Sequence, residues 1–483
     1  MKENKLYIGG DFLDSQLLWI IPIANQFCEQ KKINSICFQK KLSKKIINNK
    51  IISLILKKYK INYLTHNSYG NTFKRITLLR FVPKALVDAI TFNKKDLLNK
   101  DISWKKIQKL HAIWDQARRM SKDKQLTPSF TSIFLSCIIQ CKFENLANKA
   151  IKNGINFFFL GHAVYGHRSF LAQVNKKGSN IFIHKNTSFY KQYFNLDNAW
   201  NFISKKNFNF MLRNISKDKI NRYFLNRSKG KGRYLDSRIA ANIKNNQNAI
   251  YENVIFLHIF RDSPYTYIDR KRIFIDYYDW VFFTLNTIKN TNNKWLIKFH
   301  PSYSRWGEKQ DLIVKEILKK LDLSNAKNLF FDNKKISNNQ IYDSAKKIVT
   351  FSGTSHIEAV ANKIKPITIS ETMLSNFKSS LVLKPKSINE YKKLLLKNND
   401  SDIFKATFNE VNLAKSLIYL RENALKIDKD IGGFHVFSKD KSNIINKDFD
   451  LVLKKLHSNK DYLSKLGNFL AKNNYLVSYP FLK

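Results

Sequence analysis

The chain has 483 residues, too many for one ordinary core and comfortable for two domains. Hydrophobic residues make up 43% and aromatics 13%, with 37 Phe and 21 Tyr, which excludes a largely disordered chain. A formal charge of +48, from 85 Lys and Arg against 37 Asp and Glu, leaves three readings open: genome composition, an anionic surface, or nucleic acid.

In chain order, the first predicted element is a short strand, Lys5 to Ile8, ending in Gly9-Gly10-Asp11. An amphipathic helix from Ser15 to Glu29 and a strand from Asn34 to Phe38 complete a βαβ opening. A Lys-rich helix and a strand at Ile61 to Leu64 follow. Residues 105–153 read as helical, with Ile107, Leu110, Ile113, Trp114 and Ala117 on one stripe. A buried strand, Asn156 to Leu160, breaks at Gly161-His162. A helix (Arg168 to Lys177) and a strand (Asn180 to His184) then make a second such unit. Residues 188–228 read as helices, and Arg227-Ser228-Lys229-Gly230-Lys231-Gly232 is the linker candidate.

The second half alternates more cleanly. Strands are predicted at Val254–Phe260, Trp295–Phe299, Leu329–Phe331, Ile348–Phe351 and Pro366–Ile369. Helices are predicted near Ile275–Lys289, Gln310–Leu321, Asn338–Ala345, Ser355–Asn362, Asn389–Lys397 and Asn412–Lys426. That alternation implies an α/β class with two Rossmann-like, doubly wound domains facing a cleft, followed by C-terminal helices. The expected division is 1–235 and 236–428, with 429–483 as a small helical appendage.

In open α/β sheets, ligands bind beyond the carboxyl ends of the strands. In the second half those ends carry Arg261-Asp262, then Lys298 and His300-Pro301, then Ser352-Gly353-Thr354-Ser355 opening a helix with Glu358. Cations, hydroxyls and free helix N–H groups are what a phosphate ester needs. Gly353 permits close backbone approach or positive φ, and Thr354 or Ser355 can cap the helix. Each loop alone also fits an ordinary role: a capped helix, a partly buried histidine, or an Arg–Asp pair on a loop. The three together, on successive strand ends, carry the functional reading.

The stretch Lys298-Phe299-His300-Pro301, then Val349 through Ala359, then Lys365-Pro366-Ile367, resembles the capsule polysaccharide biosynthesis family, which includes Kdo transferases of GT-B architecture. The resemblance covers residues 250–400. It implies a glycosyltransferase that uses a nucleotide-activated sugar, CMP-linked by analogy, to build a capsule or other surface glycan. It implies that His300, Ser352, Thr354 and Ser355 contact the donor nucleotide and its phosphate, and that Glu358 accepts hydrogen bonds from the ribose. The loop after the domain's first strand reads Phe260-Arg261-Asp262-Ser263-Pro264, where the family commonly carries Gln-x-Pro-x-Asp.

The first half is then the acceptor side, a glycan or glycolipid. Its strand-end loops are Gly9-Gly10-Asp11 and Gly161 to Arg168. Asp11 and His162 are candidate catalytic groups, because transfer needs a base for the acceptor hydroxyl. Tyr165, His167 and Arg168 are candidate acceptor contacts. No Asp-x-Asp signature stands out, so neither an essential metal nor a cofactor is expected.

Zinc-finger spacing, RRM-type aromatics and a basic zipper are all missing, which disfavours nucleic acid. Basic residues near an anionic bilayer gain roughly 1 kcal/mol each, so peripheral attachment stays open beside the composition reading. Cys28, Cys37, Cys137 and Cys141 lack a second half at metal spacing and read as buried thiols of a reducing cytosol. The N-terminus lacks a signal peptide's apolar stretch, and the run Leu17 to Ala24 is far short of a membrane span. The expected location is the cytoplasm, at most peripheral at the inner membrane face. The alternative functions are a CDP-polyol phosphotransferase of teichoic-acid type and a basic nucleic-acid-binding protein.

Overall fold

The computed structural model describes residues 5–9, 14–38, 63–65, 78–99, 101–121, 127–160, 166–176, 178–185, 188–191, 215–232, 251–262, 272–332, 336–370, 379–420 and 460–472, with Leu212, Ile239, Ala241 and Glu422 singly. The Lys-rich helix expected after the second strand, the loops holding Asp11, His162 and Tyr165, and the start of the appendage lie outside these residues.

The first unit opens with β1 (Lys5–Gly9), α1 (Asp14–Lys31), β2 (Ser35–Phe38) and β3 (Tyr63–Thr65). Three helices follow, α2 (Val82–Ile90), α3 (Trp104–Met120) and α4 (Phe130–Lys152), then β4 (Ile155–Leu160), α5 (Gly166–Lys176), β5 (Asn180–Lys185) and β6 (Ser188–Lys191). The single helical stretch expected over 105–153 is two helices. The second starts where the Ser129 side chain accepts the Ser132 N–H and caps it. The strand order is β3-β2-β1-β4-β5-β6, parallel except for β6 against β5. β6 corrects the helical reading at residues 188–191 alone: β5 leaves an open edge, and Phe182 and Ile183 pair there with Lys191 and Tyr190. Phe27 of α1 packs against Phe157, Phe159 and Phe182 at centroid distances of 5.2–5.4 Å, fastening the helix to the sheet.

The second unit comprises β7 (Asn253–Phe256), α7 (Tyr277–Ile288), β8 (Trp295–Lys298), α8 (Gln310–Lys320), β9 (Leu329–Asp332), α9 (Asn338–Ser344), β10 (Lys347–Thr350), α10 (Ser355–Ala361), β11 (Ile367–Thr368), α11 (Ile388–Leu396) and α12 (Phe408–Tyr419). Its order, β11-β10-β7-β8-β9, is wholly parallel. β7, β8 and β10 are buried at every residue, as helices on both faces require. Asp276, Ser337, Ser387 and Thr407 cap α7, α9, α11 and α12 through their side chains. Both units are thus α/β and doubly wound.

A helix between the units, α6 (Lys217–Asn226), precedes the expected boundary yet packs on the second unit, with Ile220 among Ile357, Val360 and Leu417. The linker candidate continues from it, turning at Gly230 with φ of 75°. Near the chain's end, α13 (Lys460–Lys472) returns to lie along α1. Gly467 sits at the closest approach, where a Cβ would come within 2.8 Å of the Ile23 carbonyl. Among the described residues no helix is long and apolar enough to cross a membrane. All four cysteines are buried thiols, and burial pushes them up to about 11 or 12. That keeps them protonated and unreactive.

Candidate functional site

In the second sheet β7 pairs with both β8 and β10, so the chain reverses its direction of growth at β7 and β10. Such a switch point opens a crevice at the strand ends. A pocket enclosing about 560 Å³, open mouth included, lies there. The loops after β7, β8 and β10 line it, with Asn338 from the start of α9. Of the predicted donor residues it gathers Lys298, His300, Ser352, Gly353, Thr354, Ser355 and Glu358.

Gly353 adopts φ of 102°, a conformation side chains rarely tolerate, and its α-carbon faces the His258 ring. Thr354 occupies the cap position of α10 but makes no side-chain cap. Ser355 instead donates to the Thr350 hydroxyl at 3.3 Å, and Thr350 donates to the Ser352 carbonyl at 2.9 Å. The loop is thus braced from beneath by hydroxyls.

His258 was not among the predicted residues. The apolar run Val254 to Phe260 reads as one strand, but β7 ends at Phe256 and leaves His258 at the pocket wall. A lone histidine within that run was the available signal. Its ring stacks on Tyr277, with centroids 4.5 Å apart and planes 10° apart, and lies 5.9 Å from the His300 ring. Burial, with the charge of His258 adding to it, pushes His300 down to about 3. His300 is therefore neutral at physiological pH. Its Nδ1 accepts the Ser302 N–H at 3.2 Å, which places the ring proton on Nε2. His300 thus presents a neutral donor, not a cation.

Gln310 and Glu308 are two further residues that the sequence reading missed. The buried Gln310 accepts the His300 N–H at 2.9 Å and donates to the His258 carbonyl at 2.9 Å and to Glu308 at 2.7 Å. Glu308 in turn accepts the Arg261 N–H at 3.0 Å. Arg261 donates to the Gly307 carbonyl at 3.3 Å, and neither it nor Asp262 lines the pocket. Lys298 is buried, and its ammonium donates to Asp332 and to the Ile336 carbonyl, tying β8 to β9 and the chain before α9.

Glu358 forms the far wall, with carboxylate oxygens already engaged. Arg227 donates to Oε1 at 2.6 Å, and the Tyr342 hydroxyl to Oε2 at 3.0 Å. Burial alone would raise this carboxyl; Arg227, with the Tyr342 hydroxyl and the Asn338 amide, holds it below its ordinary value. Arg227 also meets Glu422 at 2.9 Å. A second hollow of about 370 Å³ shares Asn338 and Glu358 with the first and adds Arg227, Ser228 and Asn339.

In the first unit, β1 and β4 are neighbours at that sheet's switch point, with Gly9 opposite Leu160. The loops that carry Asp11 and His162 therefore leave adjacent strands. Arg168 is fully buried, its guanidinium 3.8 Å from the equally buried Asp115 of α3. It faces the helix layer, away from any exposed surface. The side chain of His167 lies outside the described residues.

No family model and no curated protein matches the sequence. Solved structures similar to the chain include a UDP-GlcNAc 2-epimerase from Methanocaldococcus jannaschii in complex with UDP-GlcNAc and UDP, 11% identical over 86% of this chain and 99% of that one, at a TM-score of 0.27. They also include KpsC, a β-Kdo 2,4-transferase from Thermosulfurimonas dismutans, 11% identical over 55% of this chain and 88% of that one, at 0.30. The glycosyltransferase SnogD from Streptomyces nogalater is 7% identical over 86% and 93%, at 0.21. These superpositions are loose, and the architecture rests on the chain's own two sheets and their strand orders.

Proposed function

We propose that the chain is a glycosyltransferase that takes a nucleotide-activated sugar, CMP-linked by the motif resemblance, and builds a surface glycan. The observation that carries this reading is the convergence of His258, His300 and the Ser352–Ser355 loop on one pocket at the switch point of a parallel sheet. The Nε2–H of His300, the hydroxyls and the backbone around Gly353 suit a phosphate without a metal. Among the described residues Glu358 has Arg227, Tyr342 and Asn338 as partners, and a carboxylate offers about four acceptor positions, so one ribose hydroxyl can be received.

The acceptor binds on the first unit. A hydroxyl oxygen of the acceptor attacks the anomeric carbon, and the bond from that carbon to the donor phosphate breaks. The proton passes to Asp11 or His162, and the nucleotide departs with the bonding pair. Both bases come from the loops after β1 and β4, while the donor is held by the second unit, so turnover needs both units.

A thermal-shift panel of CMP, CDP, UDP, CDP-glycerol and UDP-GlcNAc tests the donor site. At 100 times its dissociation constant a ligand stabilises by roughly 2.7 kcal/mol, a visible shift. His300→Ala or Thr354→Ala should remove most of it, whereas Asp11→Asn and His162→Asn should abolish transfer and leave the shift intact. A melt unmoved by every nucleotide overturns the reading. A response to CDP-glycerol alone would make the enzyme a polyol phosphotransferase.

A further inference from the structure

The α2 helix buries Ala85 and Ala89 against α4 and turns Leu86, Val87 and Ile90 outward, at 41%, 61% and 67% exposure. At 100° per residue these three share one arc of about 100°, centred about 130° round the helix from the alanines. Leu79, 65% exposed, precedes the helix. The helix's charged side chains do not interrupt the stripe, because each is tied sideways to a neighbouring helix. Lys84 meets Glu144 at 2.8 Å, and Asp88 meets Lys109 at 2.6 Å.

Single exposed apolar residues need no explanation, but a contiguous stripe on one helix marks a contact surface. Arg80 stands at one end, over the Phe81 ring at 4.5 Å, and the exposed Lys95 follows at the other, while the Lys94 ammonium turns inward to 5.5 Å from the Trp114 ring centroid. We propose that α2 is the face on which the protein docks to an anionic phospholipid bilayer. The apolar stripe enters the boundary between headgroups and acyl chains, and the basic residues at its ends stay among the phosphates. A second copy of the chain is the poorer occupant, since two molecules of formal charge +48 repel each other. The inference is independent of the donor chemistry, for it rests on exposure and charge in the first unit.

The test is sedimentation of the full chain with vesicles of phosphatidylglycerol mixed into phosphatidylcholine, and of phosphatidylcholine alone. The wild type should bind the anionic vesicles and release as salt rises. The double variant Leu86→Gln/Ile90→Gln, which leaves net charge unchanged, should bind about tenfold more weakly or worse. Phe408→Gln, on an 80% exposed residue of α12, should bind as wild type. Val87→Gln gives a milder second variant, and the melting temperature with its nucleotide shift is the control for folding and for an intact donor site. Equal binding by the double variant, or no binding by the wild type, overturns the proposal. So does a solution dimer that the double variant dissolves.

Discussion

His300 titrates at about 3 in the folded chain against 6.5 when free, and the difference has a sign in stability. Between those values the unfolded chain binds the extra proton, so the folded state gains from a neutral His300 only above the unfolded value. That contribution is complete above about pH 6.5 and is lost as the pH falls toward about 3. His300→Gln removes the titration. Urea unfolding from about pH 7.5 to about pH 5 should therefore show a smaller loss of stability in the variant than in the wild type. Parallel losses would mean that the ring is freely hydrated. The same neutrality matters for function, since the Nε2–H group donates at any pH at which the protein is folded.

At the scale of elements, the start of α8 holds two loops in register. Gln310 bridges the backbone of His258 and His300, and Glu308 extends the bridge to Arg261. Neither loop belongs to a strand at those residues, so the ladder bonds of the sheet do not fix their relative position. Gln310→Leu keeps the volume but leaves a backbone N–H, a carbonyl and the Glu308 carboxylate short of partners. Each buried group left unmet costs about 1–3 kcal/mol, so a lower melting temperature is expected. Nucleotide affinity should fall as well, because the two histidines lose their common anchor. An unchanged affinity in a titration calorimeter would show that the loops hold their places without the bridge.

Across the whole molecule, the two units meet at a buried ion pair. Arg118 of α3 donates to Asp276 at 2.6 and 2.9 Å, with 2% and 3% of the two side chains exposed, and its guanidinium lies 4.0 Å from the Tyr278 ring centroid. Trp114 donates to the same carboxylate at 3.1 Å, and the other oxygen caps α7 by accepting the Asp279 N–H. Asp276→Ala strands Arg118 and should cost roughly 3–5 kcal/mol. With that contact gone, chemical unfolding should separate into two transitions, one for each unit. A single transition at the wild-type midpoint would place the coupling elsewhere.

Much of this architecture is written locally. Strand runs such as Trp295 to Lys298, the helix caps and the positive φ at Gly353 follow from neighbours a few residues apart. The alternation of strands with helices set the second sheet parallel and the first as far as β5, and the pocket-lining residues after β8 and β10 follow directly from where those strands end. Strand order is different. Parallel strands buried on both faces carry no pairing code, so only the assembled sheet placed β7 between β8 and β10 and made one pocket of three loops. The apolar continuity of Val254 to Phe260 concealed the end of β7, and with it the place of His258. Partners of buried charges are likewise decided at long range. Glu358 meets Arg227 across 131 residues and Asp276 meets Arg118 across 158, and nothing beside those carboxylates in the chain singles out either arginine. Composition alone set the net charge, while its juxtaposition with the bare stripe of α2 required Ala85 and Ala89 to be packed inward, which the core decides and the local sequence does not.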